Sequence, residues 1–135
     1  MNNDNPLQNI SALAGRILLA SLFVLSGFNK ITGFAGTAGY MASKGLPMAE
    51  VLLVLTILVE LGGGLMLILG YRARMAALAI FLFIIPVTLV FHNFWAVPAA
   101  EAQMQMIQFM KNLAIMGGML YIAAFGAGRY SLDRE

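Results

Sequence analysis

The chain has 135 residues, 61% of them hydrophobic and only 10% charged, with a formal net charge of +2. Soluble domains average about 45–50% apolar and about 25% charged residues, so this composition excludes disorder, a secreted disulfide scaffold and most soluble folds, and leaves a single integral membrane domain over residues 1–135. The absence of cysteine excludes a disulfide, a thiolate metal site or thiol redox chemistry within the chain. One histidine is too few for a metal cluster, and the scattered basic residues make no nucleic-acid patch.

Four continuous apolar stretches run over residues 10–28, 51–70, 75–95 and 107–125. Each nears the ~20 residues that a helix needs to cross a ~30 Å hydrocarbon core. Continuous rather than alternating apolarity excludes barrel strands. Backbone groups in lipid must bond within their own segment, which demands helices. The expected fold is therefore an all-α, integral-membrane four-helix bundle.

The first stretch reads as a retained helix rather than a cleaved signal, because Met1 to Pro6 holds Asp4 and no basic residue, and Arg16 interrupts the apolar run. Gly33, Gly36, Gly39, Gly45 and Pro47 should break the connection over residues 29–50. Gly70 ends the second stretch, and Tyr71, Arg72, Ala73 and Arg74 form a tight basic turn. Pro86 should kink the third stretch and Pro98 close it, while Gly126 and Gly128 end the fourth. Four spans put both termini and the central turn on one side. That side holds Arg16, Arg72, Arg74, Arg129 and Arg134, against Lys30, Lys44 and Lys111 toward the other. The positive-inside rule then makes both termini cytoplasmic. Residues 61–66 and 115–120 share a double-glycine pattern, read as close helix packing in preference to a duplication.

Ionisable groups within spans are costly and so mark functional candidates. Glu60 lies ten residues after Glu50, about 15 Å along a helix, near the bilayer midplane, with Thr56, Gly63 and Gly64 on its face. A structural ion pair and a functional carboxylate stay open there. Lys30 ends the first span, either snorkelling to the interface or turned inward. Arg16, near the inward end, is expected on lipid phosphate. His92 sits toward the outward end of the third span, with Thr88 one turn before it, and suits proton handling. In the fourth, Gln105, Gln108 and Asn112 share a stripe with Lys111 beside it. The methionines there share no face and read as packing material.

By depth, Lys30, His92, Gln108, Lys111 and Asn112 fall in the outward half, with Glu60 just below. Facing helices of a bundle can build one site from such groups. Lys30 and Lys111 against Glu60 leave one excess positive charge. This suits an anion, or a neutral ligand with carbonyl oxygens such as a quinone, with Phe28, Phe34, Tyr40 and Phe109 as apolar walls. No spacing matches a phosphate-binding loop, a dinucleotide fingerprint or a zinc-protease helix.

Several runs carry a family resemblance. They are Arg16-Ile-Leu-Leu-Ala, Phe23-Val-Leu-Ser-Gly-Phe-Asn-Lys30, Glu60-Leu-Gly-Gly-Gly-Leu, Phe91-His92-Asn-Phe94, Phe109-Met-Lys111-Asn112-Leu-Ala-Ile-Met-Gly117-Gly118 and Gly126-Ala-Gly-Arg-Tyr-Ser-Leu-Asp133. In order and spacing the chain resembles the DoxX family of small four-helix membrane proteins, and within it the YqjF/YphA type of inner-membrane protein. The resemblance implies a bacterial inner-membrane location and a redox-linked role; relatives include the membrane subunit of an archaeal thiosulfate:quinone oxidoreductase and a component of a mycobacterial oxidative-stress complex. It supports the fold better than the chemistry.

The functional expectation is a quinone-associated oxidoreductase component. Lys30 and Lys111 would hydrogen-bond a quinone carbonyl or hold an anionic donor. Glu60 and His92 would move protons. Gln108 and Asn112 would contact and orient the head group. No metal is expected. Electrons would come from a bound donor or a partner redox subunit. A non-enzymatic scaffold, self-associating through small residues, and a small-solute or lipid carrier are the alternatives.

Overall fold

The computed structural model describes residues 5–133. Arg134, used above for orientation, and the leader residues Met1 to Asp4 lie outside that range. Among the described residues every regular element is helical.

Helix α1 spans Pro6–Thr32. Asn5 starts it, its side-chain oxygen accepting from the Leu7 and Gln8 amides at 2.9 and 3.4 Å. This satisfies donors that a helix start leaves unpaired, and Pro6 suits the first position because its missing N–H is not needed there. Its 27 residues reach about 40 Å, beyond the hydrocarbon thickness. At Gly33 the chain turns into α2, Phe34–Ser43. The glycines expected to break this connection are thus half accommodated in a helix. α2 packs Ala38 and Met41 against Leu53, with Phe34 and Phe91 around them.

The second span is one 21-residue unit, Ala49–Leu69. It comprises α3 (Ala49–Ile57), a π-helical turn (Leu58–Gly62) and α4 (Gly63–Leu69). It ends at Gly70, left-handed at φ 67°. α5 covers Ala73–Phe91 and passes through Pro86 without interruption. A short 3-10 turn, Phe94–Ala96, leads to α6, Ala99–Phe125. Pro98 therefore opens α6 instead of closing the third span. α6 also starts well before residue 107, because Ala, Glu, Gln and Met at its start are strong helix formers whose polarity hides them from an apolarity criterion. Among the described residues four helical units are long and apolar enough to cross a membrane.

Small residues set the packing. A Cβ at Gly27 would stand 3.0 Å from the Leu61 backbone, and one at Gly64 would stand 2.8 Å from Val24 and 3.3 Å from the Ala20 carbonyl. α1 and the second span therefore meet backbone to backbone, as small residues allow between membrane helices. Gly63 faces Ile80 on α5, and Gly118 on α6 faces Leu19 on α1. Both double-glycine patterns thus serve helix contacts. Ala73, Ala76, Ala77, Ile80 and Ile84 bury one stripe of α5 against Leu67 and Met119. Leu18, Leu55, Leu82 and Tyr121 are among the many large side chains left exposed, as a surface that meets lipid tails requires.

Candidate functional site

The π turn of the second span carries Glu60, which is only 6% exposed. Such turns insert an extra residue into a helix and re-aim the side chains around it. The carboxylate meets Lys30: Nζ donates to Oε1 at 3.1 Å and Oε2 at 3.0 Å, and to Ser26 Oγ at 2.6 Å. The direction of α1 explains how a lysine at its end reaches this depth. Side chains lean toward their helix's N-terminus, so Lys30 drops its ammonium one turn inward, to the level of Ser26. An unpaired carboxylate at this depth would be untenable, and the bidentate contact resolves it.

The Lys30 side chain stays 26% exposed. It borders a cavity of about 370 Å³ that is also lined by Leu22, Leu25, Ser26, Asn29 and Thr37. The aromatic walls expected for it lie elsewhere. Phe34 packs in the α2 cluster, Tyr40 stacks on Phe91 at 5.7 Å between centroids, Phe109 joins Phe94 and Trp95, and Phe28 points outward.

The remaining candidates belong to the α5–α6 pair. His92 Nδ1 lies 2.8 Å from Gln105 Oε1; an amide oxygen only accepts, so the ring donates to it through Nδ1. Asn112 Nδ2 donates to Thr88 Oγ1 at 2.9 Å, and Thr88 is buried. Gln108 is half-buried in the same helix, and Lys111 is exposed on it. The structure thus brings Lys30 to Glu60, His92 to Gln105 and Asn112 to Thr88, in two separate places. Lys111 has no hydrogen-bond or ion-pair partner among the described residues.

Arg16 corrects the expectation of a lipid-phosphate contact. It is 2% exposed. Nε donates to Leu67 O at 2.6 Å, Nη2 to Ile68 O at 3.2 Å and Tyr130 O at 2.9 Å, and Nη1 to Ala127 O. Leu67 and Ile68 belong to the last turn of the second span, where carbonyls have no helical partner. The tail crosses Gly70 so closely that a Cβ there would stand 2.2 Å from that of Ser131. Leu132 and Asp133 amides donate to Leu69 O and Gly70 O at 3.1 and 2.9 Å. Asp133 then accepts from the Arg72 and Ala73 amides at 2.7 and 2.9 Å, capping α5. Left-handed Gly126 and Gly128 supply the turns this route needs. Those glycines, with a basic residue at the matching end of the first span, were the available signal.

A larger cleft of about 690 Å³ opens between α1 and α6 near the termini, lined among others by Ser11, Gly15, Leu19, Gly118 and Phe125.

Comparison with known proteins agrees with this architecture. The DoxX family matches residues 11–93. The chain is 41% identical to the inner membrane protein YqjF of Escherichia coli over 95% of its own length and 93% of that protein's. It is 33% identical to the inner membrane protein YphA of the same organism, covering 91% and 88%. A Surfeit locus protein 4 homolog of Schizosaccharomyces pombe is 26% identical over 91% of this chain but only 36% of its own length. No solved structure matches. With four spans and these relatives, the protein is a multi-pass protein of the bacterial inner membrane, and the chain belongs to the DoxX family.

Proposed function

We propose that the protein is a quinone-associated component of a membrane oxidoreductase, with the quinone head group bound beside the Lys30–Glu60 pair. One observation carries this reading: an ammonium–carboxylate pair inside an apolar bundle keeps one flank of Lys30 open to a side cavity. A quinone carbonyl entering there would replace the Ser26 hydroxyl as an acceptor of the Lys30 ammonium. Reduction to the quinol takes two electrons and two protons; Lys30 would release one proton to the nearer oxygen and regain one through Glu60, and the farther oxygen would take the second proton from water at the open side of the cavity. Electrons come from a partner redox subunit. The second polar place, with His92, Gln105, Gln108 and Asn112, serves proton exchange toward the loop side.

A scaffold is the second reading. The internal closure of Thr88–Asn112 and of the Arg16 contacts favours it, because these polar groups already hold helices together.

The test is co-purification of quinone with the protein, followed by titration of a quinone analogue against wild type, Glu60→Gln, Lys30→Met and Lys111→Met. The Lys30 and Glu60 variants should weaken binding at least about tenfold, or about 1.4 kcal/mol, while remaining folded. Absence of binding at membrane-like concentrations overturns the quinone reading. Variants that lose only stability favour the scaffold.

A further inference from the structure

Two cavities flank α1, and the residues of α1 that line them fall on one stripe. Ser11, Gly15, Leu19, Leu22, Ser26 and Lys30 follow one another at spacings of three and four, which keeps them on one side of a helix. The stripe lies beside the face that packs on the second span, where Arg16, Ala20, Phe23 and Gly27 are buried. Its character changes along its length. Near the loops it offers Ser26, Asn29 and Lys30; past Leu22 it becomes the cleft against α6, walled by Leu19, Ile122 and Phe125.

α6 supplies a matching gradient. α1 and α6 run antiparallel and meet where Gly118 faces Leu19. Seven residues toward the loop side from that contact stand Ser26 on α1 and Lys111 on α6. Lys111, Gly118 and Phe125 are themselves seven apart, two helical turns, and so share a face; Gly118 and Phe125 line the cleft. Lys111 therefore stands at the polar end of the same track. The floor of the apolar end is Gly15, where an added Cβ would meet nothing within 4 Å. Among the described residues no packing requires a glycine there.

We infer that this track seats one long-chain amphiphile lying along α1, with an acceptor-bearing head at Ser26, Lys30 and Lys111 and its apolar chain in the α1–α6 cleft. The inference rests on the quinone reading and deepens it: the ligand is a prenylated, membrane-resident quinone, not a short soluble one. From Lys30 to Gly15 the track runs about 22 Å, far longer than a quinone ring. Accessible cationic groups, the part-exposed Lys30 and the exposed Lys111, stand at one end only; Arg16, which also lines the cleft, is buried with its guanidinium on four carbonyls, and this difference fixes the direction of the ligand. Between Ser11 and Leu22 the walls of the cleft are mostly apolar, with Leu19, Ile122 and Phe125 among them, which suits a hydrocarbon chain.

The experiment compares a prenyl quinone with the same head group carrying a methyl in place of the chain. Both are titrated against the full-length protein in nanodiscs. Wild type should prefer the prenyl form by about tenfold or more. Gly15→Phe, which fills the cleft, should abolish that preference and leave methyl-quinone affinity unchanged. Gly117→Phe, another glycine with open space around its Cβ but outside the cleft lining, should keep the preference and so correct for partition into lipid. As a readout independent of any variant, a prenyl quinone with a photoreactive chain end should label Ser11, Ala12 or Tyr121 in wild type.

Equal affinity for the two quinones, a preference that survives Gly15→Phe, or labelling away from the cleft overturns the inference while the head-group reading stands. Failure of both quinones to bind is the failure of the quinone reading, and the inference falls with it.

Discussion

Arg16 donates to four carbonyl oxygens in two segments far apart in sequence. Its planar fork is what allows one side chain to serve them all. Arg16→Met removes every donor and leaves buried acceptors without partners, so it should cost about 3–5 kcal/mol, read as a large fall in the thermal unfolding midpoint in detergent. Arg16→Lys keeps the charge but loses the fork and should recover little; recovery to wild-type stability would show that charge alone suffices. Lys30 and Glu60 call for a cycle. Removing either partner strands the other, at about 3 kcal/mol given that Lys30 is partly exposed. Replacing both, as Lys30→Met with Glu60→Leu, should restore most of that loss, and additive losses would refute the coupling. Sequence alone placed Lys30 and Glu60 at neighbouring depths but could not select between Lys30, Lys111 and Arg16 as the partner. Depth follows from counting residues along a helix. Azimuth depends on which helices touch, and a π turn shifts it.

Among elements, the contact of α1 with the second span is the one least tolerant of added volume. Gly27→Ala should destabilise by about 1–3 kcal/mol, because the new methyl meets Leu61 backbone atoms that cannot swing aside. Gly117→Ala, with nothing nearby, should stabilise by about 0.5–1 kcal/mol through helix propensity. Unfolding of the two variants side by side checks the contrast, and equal effects would contradict this packing. Asp133→Ala should cost about 1 kcal/mol by removing the cap of α5, with faster amide exchange at Arg72 and Ala73. The four long elements were legible because apolar runs of this length have one physical solution in lipid. α2 and the first turns of α6 were not. Glycine-rich and polar stretches read as loops, yet Phe34–Ser43 gains helical order by packing Ala38 and Met41 onto Leu53.

For the whole molecule, arginine on the terminal side predicts which end faces the cytoplasm. The cysteine-free chain makes the check direct. A single cysteine replacing Ser43 should react with an impermeant reagent on intact spheroplasts, and one replacing Tyr71 only after lysis; the opposite pattern reverses the orientation. The clasp around Arg16 also imposes an order on biogenesis. Its acceptors lie 51 and 111 residues further along the polypeptide. While the ribosome is still at work, a permanently charged side chain already occupies an inserted segment, with none of its final acceptors made. Water drawn in from the bilayer edge must stand in for the first two until the second span arrives, and for the other two until the last stretch emerges. A chain ending at residue 125 would thus hold all four spans and yet lack the Ala127 and Tyr130 carbonyls, leaving half of that arginine's fork to water.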